Sequence, residues 1–200
     1  MARLNLRELS MMDSPARRLS QRLVELPVFR RNLERAGIDL RGADILDAGC
    51  GNGYGLELLE RTYRPRRLVG IDLMPEQIER AKRRRLQAEV KVGDITNIDE
   101  PPASFDGVFV FGILHHVPAW RDAMVELARV LRPGGALVIE ELHGKTAELS
   151  DRWLGTSHPA TARFDWAEFR AGLAAAGFSI AGDTGLLLGA VRSFVARRES

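Results

Sequence analysis

Ile45-Leu46-Asp47-Ala48-Gly49-Cys50-Gly51-Asn52-Gly53-Tyr54-Gly55 reads as a short buried strand, a glycine-rich turn and the start of a helix whose apolar face runs from Leu56 to Leu59. Glycine lets the backbone take positive φ and approach a ligand that a Cβ would hold away. The helix behind the turn offers unpaired N–H groups and the positive end of its dipole, so the stretch suits an anionic ligand. The dinucleotide pattern G-x-G-x-x-G fails in both frames: it needs a third glycine where Tyr54 or Leu56 stands. What remains is an acid ahead of alternate glycines, Asp47-x-Gly49-x-Gly51-x-Gly53.

Outward from this turn the chain alternates strands and helices. Arg67–Asp72 is a second apolar run ending in an acid, and Pro75 suits the first turn of the helix that follows to about Leu86. Val90–Val92, Phe105–Phe111 and Ala136–Leu142 are further strands. Between the last two, Trp120, Met124, Leu127, Ala128 and Leu131 share a helix face and Arg132-Pro133-Gly134-Gly135 forms a turn. Such βαβ units give a mostly parallel sheet with ligands at the strands' carboxyl ends. A loop from His143 to Arg163 is expected next, then a helix from Asp165 to Ala176 with Asp165 and Glu168 as a capping box, and strands Phe178–Gly182 and Ala190–Arg197 with an antiparallel edge.

Ahead of the first strand, Leu19, Leu23 and Leu26 form one stripe, Pro27 interrupts, and Phe29, Leu33 and Ala36 form a second, so two helices or one kinked helix are expected. Arg17, Arg18, Arg22, Arg30, Arg31 and Arg35 read as a solvated face, or as a lid attracting an anionic or amphiphilic substrate. Leu4–Leu9 alternates apolar with polar and reads as a disordered or interfacial lead-in. The division expected is a single domain: a helical lid over 1–40, a ligand-binding core over 41–145, and a terminal helix with edge strands over 146–200.

The 200 residues are 45% apolar and 28% charged with a net charge of +2, as expected of one globular domain with no need of a polyanionic partner. The basic run Arg80, Lys82, Arg83, Arg84 and Arg85 suits a helix C-terminus. Cys50 is the lone cysteine, so neither a disulfide framework nor a paired-cysteine metal site is expected, and a cytoplasmic location fits. No stretch has the length of a membrane span, which leaves peripheral membrane contact open.

Three acids stand at three successive strand ends, in phase with the glycine turn. Asp72 can accept from two ribose hydroxyls with Leu73 on an adenine face, and Asp94 beside Ile95 can take an adenine amino group. With Leu114-His115-His116-Val117 and Leu131-Arg132-Pro133-Gly134-Gly135, the span Asp44–Leu142 resembles the class I S-adenosylmethionine-dependent methyltransferases that act on small molecules. The resemblance implies a Rossmann-like three-layer α/β sandwich with a seven-stranded sheet, order 3-2-1-4-5-7-6 and strand 7 antiparallel. It implies that Asp47, Gly49, Cys50, Gly51, Asn52 and Gly53 cradle the methionine part of S-adenosyl-L-methionine, that Asp72 and Leu73 hold the ribose and adenine edge, that Asp94 and Ile95 hold the adenine, and that Phe111 lies near the sulfonium. The product would be S-adenosyl-L-homocysteine.

His115 and His116 are the candidates for a catalytic base, with Glu140, Glu141 and His143 behind them; no metal site is expected. The fourth strand ends Phe-Gly-Ile-Leu, which departs from the Asn/Asp-Pro-Pro-aromatic ending of nucleic-acid amino methyltransferases, so the expected acceptor is a small molecule or lipid and not a nucleic acid. A quinone C-methyltransferase shares Arg129-Val130-Leu131 and Pro133-Gly134-Gly135 but departs at Glu140 and His143. The remaining alternative is a catalytically idle S-adenosylmethionine-binding partner protein.

Overall fold

The structure is a computed structural model that describes residues 14–199, so the reading of Leu4–Leu9 lies outside the described residues. Its elements are α1 (Pro15–Ser20), a π-helical turn (Gln21–Glu25), α2 (Leu26–Arg35), β1 (Asp44–Ala48), α3 (Tyr54–Tyr63), β2 (Arg67–Asp72), α4 (Pro75–Lys82), β3 (Glu89–Val92), β4 (Phe105–Phe111), α5 (Trp120–Val130), β5 (Leu131–Leu142), α6 (Gly144–Leu154), α7 (Trp166–Ala175), β6 (Phe178–Leu186) and β7 (Val191–Arg198). The strands form one seven-stranded sheet in the order β3-β2-β1-β4-β5-β7-β6. β7 runs antiparallel to both β5 and β6, and the other pairings are parallel, as expected.

β1 is central and buried along its whole length. Its side chains alternate between two cores. Leu46 and Ala48 join Trp120, Met124 and Leu127 of α5 and Phe169 of α7 on one face. Ile45 joins Phe29 and Leu33 of α2 and Leu56 and Leu59 of α3 on the other. Each large side chain so buried contributes about 1.5–3 kcal/mol, which makes the helices on both faces, and not local propensity, the source of the sheet's stability. At the amino ends, Arg132 bonds both Asp44 at 3.0 Å and Asp106 at 2.6 Å, while Arg66 closes on Asp44 at 2.6 Å.

The lid departs from the expected stripes. Leu19 and Leu23 are exposed, at 57% and 61%, whereas Arg17 turns inward. The cause is Pro27, which has no N–H to donate. The Leu26 N–H reaches back five residues to the Gln21 carbonyl, and this π turn puts the face of α1 out of phase with that of α2. α1, the π turn and α2 therefore form one continuous helical run.

Three further boundaries differ. His143–Arg163 is not all loop: α6 occupies Gly144–Leu154, its N-terminus capped by the His143 ring, which accepts from the Lys145 N–H at 3.1 Å, and its end marked by Gly155 at φ +68°. β5 begins at Leu131 rather than Ala136, because Leu131 still pairs with Phe105 while the Pro-Gly-Gly segment is absorbed as a register shift. β6 continues to Leu186, the Gly182-Asp183-Thr184-Gly185 stretch being carried through a bulge after Ile180 and braced by the Thr184 hydroxyl, which donates to Asn32 Oδ1 at 2.9 Å. α4 ends at Lys82, short of Leu86, and Arg85 turns the chain at φ +54°. The capping box of Asp165 and Glu168 at α7 is present.

Candidate active site

The glycine turn is pinned to β2. The Gly49 and Cys50 N–H groups both donate to the Ile71 carbonyl, at 2.8 and 2.9 Å, and the Gly51 N–H donates to Asp72 Oδ2 at 3.0 Å. Gly49 has φ +89°, and a Cβ there would lie 2.4 Å from Ile113 Cδ1, so only glycine lets the turn pass beneath the β4–α5 loop. Arg84, read from sequence as part of a basic tail, braces the glycine turn from just beyond the end of α4: it donates to the Asn52 carbonyl at 2.7 Å and to Asn52 Oδ1 at 3.2 Å, and pairs with Glu57 at 2.8 Å.

The turn opens into a cavity lined by Asp47, Gly49, Cys50, Gly51, Asn52 and Phe111 from the expected set and by Arg17, Gln21, Tyr54, Gly55 and Gln77 besides. Asp47 is fully buried, and neither carboxylate oxygen has a hydrogen-bond partner among the described residues. Burial, reinforced by the nearby Asp72 charge, pushes its pKa up to about 8. Gln77 adds a second buried acceptor without a partner. Gly55 keeps space over Asp47, since a Cβ there would lie 2.8 Å from Oδ2 and 3.2 Å from the Phe111 ring. Buried acceptors without donors are rare, and two in one cavity mark the place of a cationic or N–H-bearing ligand. The cradle fits the ammonium of an amino-acid tail.

Gly53, Asp72, Leu73, Asp94 and Ile95 are not among the residues lining that cavity: Gly53 lies at the end of the glycine turn, and the other four stand at or just beyond the adjoining carboxyl ends of β2 and β3. Gly53 takes the left-handed N-cap position of α3, at φ +79°. Asp72 and Asp94 are brought together, the Gly93 N–H donating to the Asp72 carbonyl at 3.0 Å. Asp72 also receives the Met74 N–H at 2.9 Å, and burial raises its pKa against the lowering effect of its backbone donors. Asp94 Oδ1 closes a turn on Thr96, accepting from its N–H and hydroxyl at 2.8 Å each. Ile95 is buried in the α5-side core, so its side chain anchors this loop from beneath. Cys50 is buried and its thiol pKa is pushed well up, chiefly by burial, which leaves it inert.

α1 covers the cavity. Arg17 pairs with the buried Glu25 and donates to the Phe111 carbonyl at 3.2 Å. Glu140, at the carboxyl end of β5, faces this cluster, and burial plus the Glu25 charge push its pKa up to about 8. The arginine face, read as solvated or as a lid, thus contributes Arg17 to the cavity lining.

Glu141 points to the other side and organises the β4–α5 loop. Its carboxylate accepts from the N–H groups of Ile113, Leu114 and His115, at 3.0, 2.7 and 3.3 Å, and lies 2.6 Å from His115 Nδ1. His116 is desolvated and crowded by His115 and His158, which lowers its pKa to about 2, so it stays neutral near pH 7 and is a poor proton acceptor. His143 spends its ring on capping α6 and packing edge-on to Trp166.

With this geometry in view, a sequence family described as "Methyltransferase domain" matches residues 46–139. The core is a class I methyltransferase domain. A Fatty-acid O-methyltransferase of Mycolicibacterium smegmatis is 38% identical over 102 residues, 50% of this chain and 37% of that protein. A Malonyl-[acyl-carrier protein] O-methyltransferase of Serratia marcescens is 35% identical over 115 residues, 56% of this chain and 44% of that protein. The chain thus spans less than half the length of these relatives. A solved S-adenosylmethionine dependent methyltransferase from Mesorhizobium loti, 18% identical, superposes with a TM-score of 0.73 over 87% of this chain and 97% of that one, a likeness of fold. Gln21, Tyr54, Gly55 and Gln77 are cavity residues to which the sequence assigned no role, and Arg17 was read only as one of the arginines on the leading helices. Only Gln77 carried a local signal, lying on the same buried face of α4 as Ile78 and Ala81.

Proposed function

We propose that the protein transfers a methyl group from S-adenosylmethionine to an oxygen of a small-molecule or lipid-like acceptor, with a carboxylate as the nucleophile. The observation that carries this reading is Asp47: a buried carboxyl with no donor, facing a glycine turn and flanked by Asp72. When bound, S-adenosylmethionine supplies a methyl group on a sulfonium, already activated toward attack. Asp47 and Gln77 would hold the ammonium, Asp72 the ribose hydroxyls and Asp94 the adenine, with the buried Ile95 holding the Asp94 loop in place, while Phe111 closes the methionine end. Arg17 and Gln21 cover the cavity and exclude water, and holding the reactants aligned supplies much of the rate.

A carboxylate acceptor is favoured because it arrives without a proton to remove, so the transfer needs no general base. Both relatives' names describe O-methylation of an acyl compound. Leu19, Leu23 and Val24 on the lid, and Leu149, Trp153 and Leu154 on α6, are exposed apolar side chains suited to an acyl chain. No described helix is long and apolar enough to cross a membrane, so any such contact would be made from the surface.

Incubation with methyl-labelled S-adenosylmethionine and a series of fatty acids, their alcohols and their amides tests the reading. Label is expected on the acids alone, and label on the alcohols or amides alone would overturn the carboxylate assignment. Calorimetry with S-adenosylhomocysteine tests the cofactor assignment separately: Asp72→Ala is expected to weaken binding about 100-fold, in line with loss of charge-assisted bonds, and unchanged binding would remove Asp72 from the site.

A further inference from the structure

We infer that His115, His116 and His158 bind a divalent transition-metal ion, zinc or a close analogue, at a site separate from the glycine-turn cavity. The three residues each offer a ring nitrogen, and these atoms lie within 4.8 Å of one another. The rings are packed together, with centroids 4.3 Å apart for His115 and His116, 4.6 Å for His116 and His158, and 5.2 Å for His115 and His158.

The surroundings are those of a ligand set. His115 Nδ1 lies 2.6 Å from Glu141 Oε2, and His158 Nδ1 lies 2.5 Å from Asp151 Oδ1. Each carboxylate holds its imidazole as the Nδ1–H tautomer and directs the Nε2 lone pair outward, the arrangement by which a second shell orients metal-binding histidines. Both carboxylates are fixed in turn. Glu141 takes three backbone N–H groups, and Asp151 takes the His158 N–H at 3.1 Å, the Thr156 hydroxyl at 2.8 Å and Arg163 Nη2 at 2.9 Å. Their negative charge offsets that of a dication. Imidazole donors suit zinc, copper, nickel and iron rather than magnesium or calcium, and three nitrogens leave a fourth position open for water or a ligand oxygen. Around a tetrahedral zinc with bonds of about 2.0–2.1 Å, donor atoms sit roughly 3.4 Å apart. Separations of up to 4.8 Å must therefore shorten by up to about 1.4 Å, and the half-buried His116, held by no carboxylate among the described residues, is the one placed to swing.

The cluster adjoins the cavity through Gly112: a Cβ there would lie 3.7 Å from His115 Cε1 and 3.9 Å from Arg17 Nη2. The pair His115-His116 is visible in the sequence. His158 joins it only through the turn that follows α6.

The test uses the full chain after dialysis against a chelator, titrated with cobalt(II) while visible absorption is read, and with zinc chloride in a calorimeter. One equivalent is expected to saturate both signals, with cobalt bands in the four- or five-coordinate range. His116→Ala and His158→Ala should each abolish saturable binding, whereas His143→Ala, which changes a histidine outside the cluster, should leave it intact. Glu141→Gln should weaken zinc about 10- to 100-fold. Circular dichroism confirms that each variant is folded. Absence of one-equivalent binding in the wild type, or equal binding by folded His116→Ala and His158→Ala, would overturn the site. Neither readout depends on methyl transfer.

Discussion

Arg17 Nη2 donates to the backbone carbonyl of Phe111 at 3.2 Å, tying the first helix of the lid to the carboxyl end of β4, directly over the cavity. The same guanidinium neutralises Glu25, which is buried at 2% exposure. Removing one partner of a buried pair strands the other, so the bond holds α1 in place more firmly than a surface ion pair would. Arg17→Met is expected to raise hydrogen exchange across 15–25 at least 10-fold and to speed release of S-adenosylhomocysteine, with α3 and the sheet protected as before. Exchange and dissociation rates that match the wild type would mean that α1 is not held through Arg17.

Asp47 makes stability depend on pH. In the folded protein it keeps its proton up to about pH 8, whereas an unfolded chain releases it near pH 3.9. The folded state therefore binds more protons between about pH 4 and pH 8: the contribution is fully present below pH 4 and is lost as pH rises through 8. At 1.36 kcal/mol per unit the loss is on the order of 5 kcal/mol across the window. Asp47→Asn removes it, so the difference in denaturation midpoint between variant and wild type should grow from pH 5 to pH 8. A difference that stays flat would contradict the raised pKa. Pairing with an ammonium favours the ionised form, so S-adenosylhomocysteine binding at pH 7 should release most of a proton, measurable by calorimetry in buffers of different ionisation enthalpy.

The placement of the glycine turn, Asp72 and Asp94 at successive strand ends is legible because its message is local: an apolar run, then an acid or glycine, repeated three times in phase. The sheet order came with the resemblance and is the order observed. What was not legible depends on phase and distance. Pro27 announced a break but not its form, and the π turn decided that Arg17 faces in while Leu19 and Leu23 face out. His158 and Asp151 lie where a loop was expected, and α6 was missed because its cap is a histidine and its first residue a glycine, neither a usual start signal. Gly182 and Gly185 looked like the end of β6, and only pairing with β7 carries the strand past them.

Phe29 connects the lid's packing to the cavity. It is fully buried, with its ring 5.2 Å from Phe111 and 6.1 Å from Phe109. Phe29→Ala removes those contacts and leaves a hole between α2 and the sheet, at a cost of about 3–5 kcal/mol. Because Phe111 lines the cavity, S-adenosylhomocysteine affinity should fall as well, whereas Phe169→Ala, on the opposite face of the sheet, should lower stability similarly and leave affinity within about 2-fold. Equal losses of affinity in both would show that the two cores are not independent.

Gly55→Ala separates space from propensity. Gly55 lies in the first turn of α3 without a positive φ, where alanine is the better helix former by about 1 kcal/mol. The added methyl would nevertheless stand 2.8 Å from Asp47 Oδ2 and 3.2 Å from the Phe111 ring, in the space above the unpartnered carboxyl. A purely structural glycine would show gain or loss of stability with ligand binding to match. Instead, the thermal midpoint should move by only a few degrees while S-adenosylhomocysteine binding drops at least 10-fold. Asp47→Asn and Gly55→Ala combined should then weaken binding little more than either alone, since both act on the same contact. Additive losses would place the methyl's effect elsewhere, on the Phe111 ring rather than on Asp47.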